Sequence, residues 1–181
     1  MIDNDLKDKY IQAIKEVEGF RKEWCDAHGA PMPRRIDCLD LIMKKEFALQ
    51  ILDGTKKIEL RDASNHYCRR LYDSNITRFI DLHQNDDEIM DECGPYGYLD
   101  ELMQVDRIHF HNYSNSWFLD VKVLHTDYLY MNNDVKDQLN TLGIHDVDDA
   151  IDEFEKKGIK PEERPVFFQF VLDEIIDTNL K

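Results

Sequence analysis

The sequence predicts an α+β fold: a small, mostly antiparallel β-barrel flanked by helices and preceded by an amphipathic N-terminal helix. Strand-like segments do not alternate regularly with helices, as a doubly wound parallel sheet would require. The two clearest strand segments are separated by a short polar stretch typical of a hairpin, and a last strand segment follows two helical ones. Closing such a sheet into a barrel removes exposed strand edges.

Composition sets limits on the function. The 181 residues suffice for one domain with a hydrophobic core, and the 42% apolar content argues against disorder. The formal net charge is -15, from 38 acidic and 23 basic residues. Tight, sequence-independent binding to duplex nucleic acid depends on many lysines and arginines, so this balance argues against it. One localised basic cleft remains compatible with an acidic chain.

The chain carries no sign of membrane targeting or of a bound cofactor. Residues 1–5 lack the basic start and apolar run of a signal peptide, and no apolar run of about 18 residues occurs. We therefore expect a cytoplasmic protein with no membrane partner. The four cysteines are widely separated and form no CxxC pair, which argues against a zinc ribbon or a redox dithiol. We expect free thiols, no metal and no cofactor.

The first element is a helix predicted over residues 3–27. Its apolar side chains recur at spacings of three and four, which is typical of a helix that packs one stripe on the main body. They are Leu6, Tyr10, Ile14, Val17, Phe20 and Trp24. Gly29, Pro31 and Pro33 follow as stop signals. We therefore divide the chain into an N-terminal helical extension packed on the core, residues 1–38, and a main domain, residues 39–181.

The main domain begins with a strand, a helix and a second strand. An apolar run predicts a strand over residues 39–43, residues 44–52 suit a helix, and Gly54 ends it. Residues 57–62 alternate between apolar and charged types. In a strand this alternation would place Lys57, Glu59 and Arg61 on one face, opposite Ile58 and Leu60. The charged face is the candidate wall of a binding site.

The remaining segments complete the sheet. Residues 63–104 read as an insertion, with helical turns near 66–72, an acidic stretch at 86–92 and a turn at 94–97. Residues 105–112 and 117–130 are predicted strands, and the polar residues between them predict an antiparallel hairpin. Helices over 134–142 and 147–157 precede a final strand over 166–176.

Several of these segments together form a recognisable pattern. It consists of an apolar strand, a helix ending in Ile51-Leu52-Asp53-Gly54, and a strand that carries lysine and closes on Glu59-Leu60-Arg61. Residues 105–110 and 121–123 continue it. The chain resembles the ASCH domain family of the PUA-like superfold over about residues 39–176, interrupted by the insertion at 63–104. The resemblance implies a β-barrel whose cleft binds RNA or a nucleotide-like ligand.

Carried over by position, the resemblance assigns ligand binding to Lys56, Glu59 and Arg61. A lysine offers a mobile point charge to phosphate, whereas an arginine offers a planar fork to phosphate or a base edge, and a glutamate can orient either cation. We add Lys57, Arg69, His109 and Tyr113 as candidate ligand-binding residues. The expected partner is single-stranded or modified RNA, or a nucleotide, in preference to duplex. An ordinary surface Glu-Arg pair with solvated lysines is the alternative.

Whether the chain is an enzyme remains open at this point. One bacterial amidohydrolase of this family, which acts on acetylated cytidine, uses a lysine, a threonine three residues later and a distant glutamate. Here Lys56 matches the lysine, but Glu59 replaces the threonine, and residues 139–143 offer no acid. That activity is therefore not carried over, because a carboxylate does not replace a hydroxyl nucleophile.

Two alternative functions remain. The first is a hydrolase that acts on RNA or on a modified nucleoside, for which Glu59, His109 or His111, Lys56 and Arg61 offer suitable side-chain types. The second is a protein-interaction module with an acidic surface. His109 and His111 share a strand face, but two histidines alone do not form a metal site. The sequence does not indicate the oligomeric state.

Overall fold

The computed structural model describes residues 4–95 and 97–181. Two parts of the predictions lie outside the described residues. One is residues 1–3, which include the predicted helix start at Asp3 and part of the segment considered as a leader. The other is Tyr96 of the predicted turn. The elements, in chain order, are α1 (Asn4–His28), β1 (Arg35–Ile36), β2 (Leu39–Ile42), α2 (Lys45–Leu52), β3 (Ile58–Asp62), α3 (Asn65–Leu71), α4 (Ser74–His83), α5 (Asp87–Met90), β4 (Gln104–Val105), β5 (Arg107–His111), β6 (Phe118–Tyr130), α6 (Asn133–Thr141), α7 (Asp148–Lys156) and β7 (Val166–Thr178).

The fold is α+β, and its main sheet is a mixed five-stranded sheet curled into a half-barrel. The strand order is β2-β5-β6-β7-β3, so β2 and β3 are its edges. β5 and β6 pair antiparallel, which confirms the predicted hairpin. β6 with β7 and β7 with β3 also pair antiparallel, while β2 pairs parallel with β5. β1 and β4 form a second, two-stranded parallel sheet. None of the described helices is long and apolar enough to cross a membrane.

The two faces of the half-barrel have separate apolar cores. The inner core contains Leu41, Phe110, Phe168 and Phe170 and includes buried side chains of α2. The outer core contains Ile58 and Val171 together with apolar side chains of α6 and α7. Ile58 thus points to the outer face of β3. The alternation of the strand directs the next side chain, Glu59, to the inner face.

Helix α1 covers part of the outer surface and is buried mainly at its C-terminal end. Cys25 is buried there with Ile76 and Leu99. The predicted apolar stripe is only partly covered, because Val17 is 53% exposed and Phe20 is 58% exposed. The first half of α1 instead meets polar groups of the sheet: Lys7 pairs with Asp173, and the ring of Tyr10 contacts that of His125. A polar surface of this kind cannot bury a continuous apolar stripe.

Candidate functional site

A cavity opens at the gap between the two edge strands, β2 and β3, beside the start of α2. Its volume is about 360 Å³, within the range of small-molecule sites. The lining comes from the end of β2, from the start of α2, from the segment that leads into β3 and from β3 itself. The lining residues are Ile42, Met43, Lys44, Phe47, Lys56, Glu59, Leu60 and Arg61. Lys56, Glu59 and Arg61, three of the predicted ligand-binding residues, therefore lie together.

Glu59 is the centre of this group. The residue is only 5% exposed. Its Oε1 lies 2.9 Å from Nη2 of Arg61, and its Oε2 lies 3.4 Å from Nζ of Lys56. Burial raises the pKa of Glu59 above its ordinary value, and the nearby charges of Lys56 and Arg61 oppose that rise. The carboxylate therefore fixes the positions of two cations at the wall of the cavity.

Register and a tight turn explain how the sequence builds this group. Glu59 pairs with Phe170 and Arg61 pairs with Phe168 across the β3–β7 ladder, so both charged side chains enter the inner side of the half-barrel. Gly54 ends α2 with a φ of 79°, a conformation that glycine adopts without steric cost. The chain then turns back, and the Lys56 amide donates to the Gln50 carbonyl at 2.9 Å.

One hydrogen-bond donor of the Arg61 guanidinium group has no partner among the described residues. Its Nη2 donates to the Ile42 carbonyl at 3.0 Å, in addition to its contact with Glu59. Its Nε is buried and has no hydrogen-bond partner among the described residues. Buried polar groups are normally paired, so an unpaired guanidinium nitrogen at the wall of a cavity makes Arg61 a candidate for contact with a ligand.

The start of α2 adds positive potential and an aromatic surface. Lys44 is the N-cap residue of α2, its side chain makes no capping hydrogen bond, and it lines the cavity. The N-terminus of a helix favours anions, since its first amide groups have no partner within the helix. Phe47 also lines the cavity and is 45% exposed. Sequence reasoning assigned Phe47 to the helix and to the family pattern, but not to ligand binding.

Lys57 does not join the group, which corrects the prediction from strand alternation. Its Nζ donates to the Gly143 carbonyl at 2.6 Å, in the connection between α6 and α7. Strand β3 begins only at Ile58, so the alternation does not extend back to Lys57. In addition, Asp146 accepts the backbone N–H groups of both Lys57 and Ile58. Lys56, rather than Lys57, therefore reaches Glu59.

Three further predicted ligand-binding residues lie elsewhere. His109 alternates with the buried Ile108 and Phe110, so it faces the other side of β5, where its Nδ1 lies 2.6 Å from Oδ1 of Asp120. Tyr113 is 88% exposed in the β5–β6 connection. Arg69 lines a separate surface pocket between α3 and α4.

This placement also separates His109 from Glu59, so these two do not form the acid-base pair that a hydrolase acting on RNA could use. His111 lies close to His109, with the ring centroids 5.5 Å apart. No group of three or more His, Cys, Asp or Glu residues in the described parts of the chain could hold a metal ion.

Two residues of α3 that were not among the predicted ligand-binding set do approach the site. The ring of Tyr67 contacts both Arg61 and Arg70, with each guanidinium carbon 5.9 Å from the ring centroid. The spacing of three places Tyr67 and Arg70 on one helix face. A helical reading of residues 66–72 therefore carried the signal, but only the structure shows that this face turns toward β3.

Comparison with family models, with curated proteins and with solved structures finds no match to the chain.

Proposed function

We propose that this chain binds RNA or a nucleotide-like ligand, as the resemblance to the ASCH and PUA-like families implies, in the cavity between β2 and β3. The observation that carries the proposal is the concentration of Lys44, Lys56 and Arg61 around one cavity of a chain whose net charge is -15. Only Glu59 opposes these three cations in the lining. Such a site favours a ligand that carries phosphate.

The aromatic side chain of Phe47 is a second observation that supports the proposal. Phe47 presents a partly exposed ring beside the cations. Single-stranded nucleic acids and nucleotides are commonly bound by a cation on the phosphate and an aromatic ring on the base. A duplex would instead require an extended basic face. We therefore favour single-stranded or modified RNA, or a nucleotide, over duplex.

The cytoplasm is the location we propose for this activity. The four cysteines are free thiols in the structure. Free thiols are the ordinary state in a reducing compartment.

The binding test uses a triple variant, Lys56→Ala, Glu59→Gln and Arg61→Ala. Replacing Glu59 as well avoids leaving a buried carboxylate without its cations, which would risk unfolding the protein. We expect affinity for a labelled single-stranded RNA oligonucleotide to fall at least about tenfold, because charge-assisted hydrogen bonds to phosphate are lost. Fluorescence anisotropy measures the affinity.

The matched control is Lys15→Ala, which has the same net change of one charge on the exposed surface of α1. It should bind as the parent does. Equal affinity of the triple variant and the parent would refute the proposal.

A hydrolase acting on RNA or on a modified nucleoside is the second candidate, and Glu59 is the observation in its favour. A buried carboxyl group with a raised pKa, placed in a cavity beside two cations, is a common general acid or base. If the candidate is right, the parent turns over labelled RNA or an acylated nucleoside, and Glu59→Gln abolishes turnover while binding remains. Absence of turnover by the parent, with and without divalent metal, would argue against it.

A further inference from the structure

Two arginine side chains reach the free edge of β2. Arg61, from β3, donates to the carbonyl of Ile42 at 3.0 Å, and Arg70, from α3, donates to the carbonyl of Asp40 at 2.9 Å. Both guanidinium groups contact the ring of Tyr67. This group, Arg61, Tyr67 and Arg70, is called the arginine stack below. It joins α3 directly to the cavity, since Arg61 belongs to both.

The spacing of the arginine stack follows from strand geometry. Asp40 and Ile42 are two residues apart on β2, so their carbonyl oxygens leave the same edge about 6.6 Å apart. Each of these two carbonyl oxygens accepts from one guanidinium group, that of Ile42 from Arg61 and that of Asp40 from Arg70. One nucleotide unit of an extended strand covers a similar length, so consecutive phosphates can face consecutive arginines.

The charge of Arg70 remains available to a ligand. Arg70 uses one nitrogen for a main-chain carbonyl and forms no ion pair with a described carboxylate. Its guanidinium plane also offers a surface on which an unstacked base can lie. By contrast, Arg69 is exposed on α3 and lines the pocket with Thr77 and Asp81 of α4.

We infer that α3 supplies a second subsite, made by Tyr67 and Arg70, and that the ligand is therefore a single strand of at least two nucleotides. This inference rests on the proposed function. One phosphate lies beside Lys44, Lys56 and Arg61, and the next phosphate lies beside Arg70. A base of the second nucleotide stacks on the arginine stack. The insertion at 63–104 thus contributes to recognition through its first helix.

The test compares a short and a long probe, uridine monophosphate and tetrauridylate, by isothermal titration calorimetry. We expect the parent to bind tetrauridylate about tenfold or more tighter than the monophosphate, as one additional stacked base would give. Arg70→Gln and Tyr67→Leu should remove this gain and leave monophosphate binding unchanged. Arg69→Gln, the same substitution at the neighbouring position, should retain the gain.

Several results would overturn the inference. Equal affinity of the parent for both probes contradicts it and leaves the proposed function intact. Retention of the gain in both variants, or an equal loss for both probes, also contradicts it. Because Tyr67 also packs against the inner core, Arg70→Gln decides the matter if Tyr67→Leu fails to fold. A parent that binds neither probe contradicts the proposed function and the inference together.

Discussion

At the scale of single residues, Glu59 is where burial and charge oppose each other most directly. Its carboxylate is buried, and Arg61 and Lys56 compensate it at 2.9 and 3.4 Å. Removing one partner from a buried ion pair is strongly destabilising, because it leaves an uncompensated charge. We expect Arg61→Gln to lower the free energy of unfolding by about 3 kcal/mol. Urea denaturation monitored by circular dichroism measures this loss.

The control for this prediction is the double variant Glu59→Gln, Arg61→Gln. It removes the buried carboxylate together with its partner, and we expect it to recover most of the stability lost in Arg61→Gln. If the double variant is as unstable as the single one, the loss comes from packing of the Arg61 side chain rather than from the buried charge.

His125 and Asp127 form a second polar group, beneath α1, that makes stability depend on pH. Burial, followed by the charges of Arg21 and Arg35, lowers the pKa of His125 from 6.5 to about 4. The folded state therefore disfavours protonated His125. Its contribution is fully present above pH 6.5 and is lost as the pH falls to about 4, at most about 3 kcal/mol.

Asp127 acts in the opposite direction. Burial raises the pKa of Asp127 from 3.8 to about 6, so its contribution to stability is present below pH 3.8 and is lost as the pH rises through 6. The side chain is still 46% exposed, so solvent screening reduces this contribution.

Variants of His125 and Asp127 should therefore change stability in opposite directions when the pH falls from 6.5 to 4. Urea denaturation over this range measures the change. His125→Gln should become more stable on acidification than the parent does, because only Asp127 remains to titrate. Asp127→Asn should lose more stability than the parent over the same range. Parallel pH profiles of the parent and both variants would show that neither group titrates as described.

At the scale of secondary-structure elements, local patterns predicted what local interactions determine. The hairpin of β5 and β6, the final strand β7 and the helices α6 and α7 lie within a few residues of their predicted bounds. Their apolar periodicity is visible in the sequence. The parallel pairings of β2 with β5 and of β1 with β4 were not predicted, because they join segments distant in sequence whose partners no local pattern specifies.

Part of the candidate site could likewise be predicted from the sequence, and part depends on tertiary contacts. The family pattern led to Lys56, Glu59 and Arg61, which the fold brings together. Simple alternation failed for Lys57, whose direction is set by Gly143 and Asp146 from a distant connection. The helical pattern of residues 66–72 placed Tyr67 and Arg70 on one helix face, but tertiary packing of α3 decides that this face turns toward the site.

The contact of Asp146 with the start of β3 gives a prediction at this scale. Its Oδ2 accepts the N–H groups of Lys57 and Ile58 at 3.0 and 3.3 Å. Hydrogen bonds to a charged acceptor contribute more than neutral ones, so we expect Asp146→Ala to lower the free energy of unfolding by about 1–2 kcal/mol. Thermal or urea denaturation measures it. Asp149→Ala, an exposed residue of α7 with the same charge, should change stability little.

At the scale of the whole molecule, the acidic surface and the basic cavity have different consequences for ligand binding. The net charge of -15 repels an anionic ligand at long range and lowers the rate of encounter. The cations at the gap between β2 and β3 attract it at short range. If the proposed function holds, we expect selectivity for a narrow single strand, since a bulky polyanion would bring most of its charge against the acidic protein.

This combination predicts a shallow dependence of RNA affinity on salt. Each phosphate neutralised in a single strand contributes a slope of about -0.7 to a plot of log affinity against log salt concentration. The proposed binding mode places one phosphate in the cavity and a second beside Arg70, so we expect a slope of about -1.4 for a single-stranded RNA oligonucleotide. Screening of the long-range repulsion makes the observed slope shallower still. The triple variant Lys56→Ala, Glu59→Gln, Arg61→Ala should lower the magnitude of the slope by about 0.7, which corresponds to the loss of one phosphate contact. Lys15→Ala should leave the slope unchanged. A slope steeper than about -4 would require a broad basic surface and would contradict recognition through this cavity.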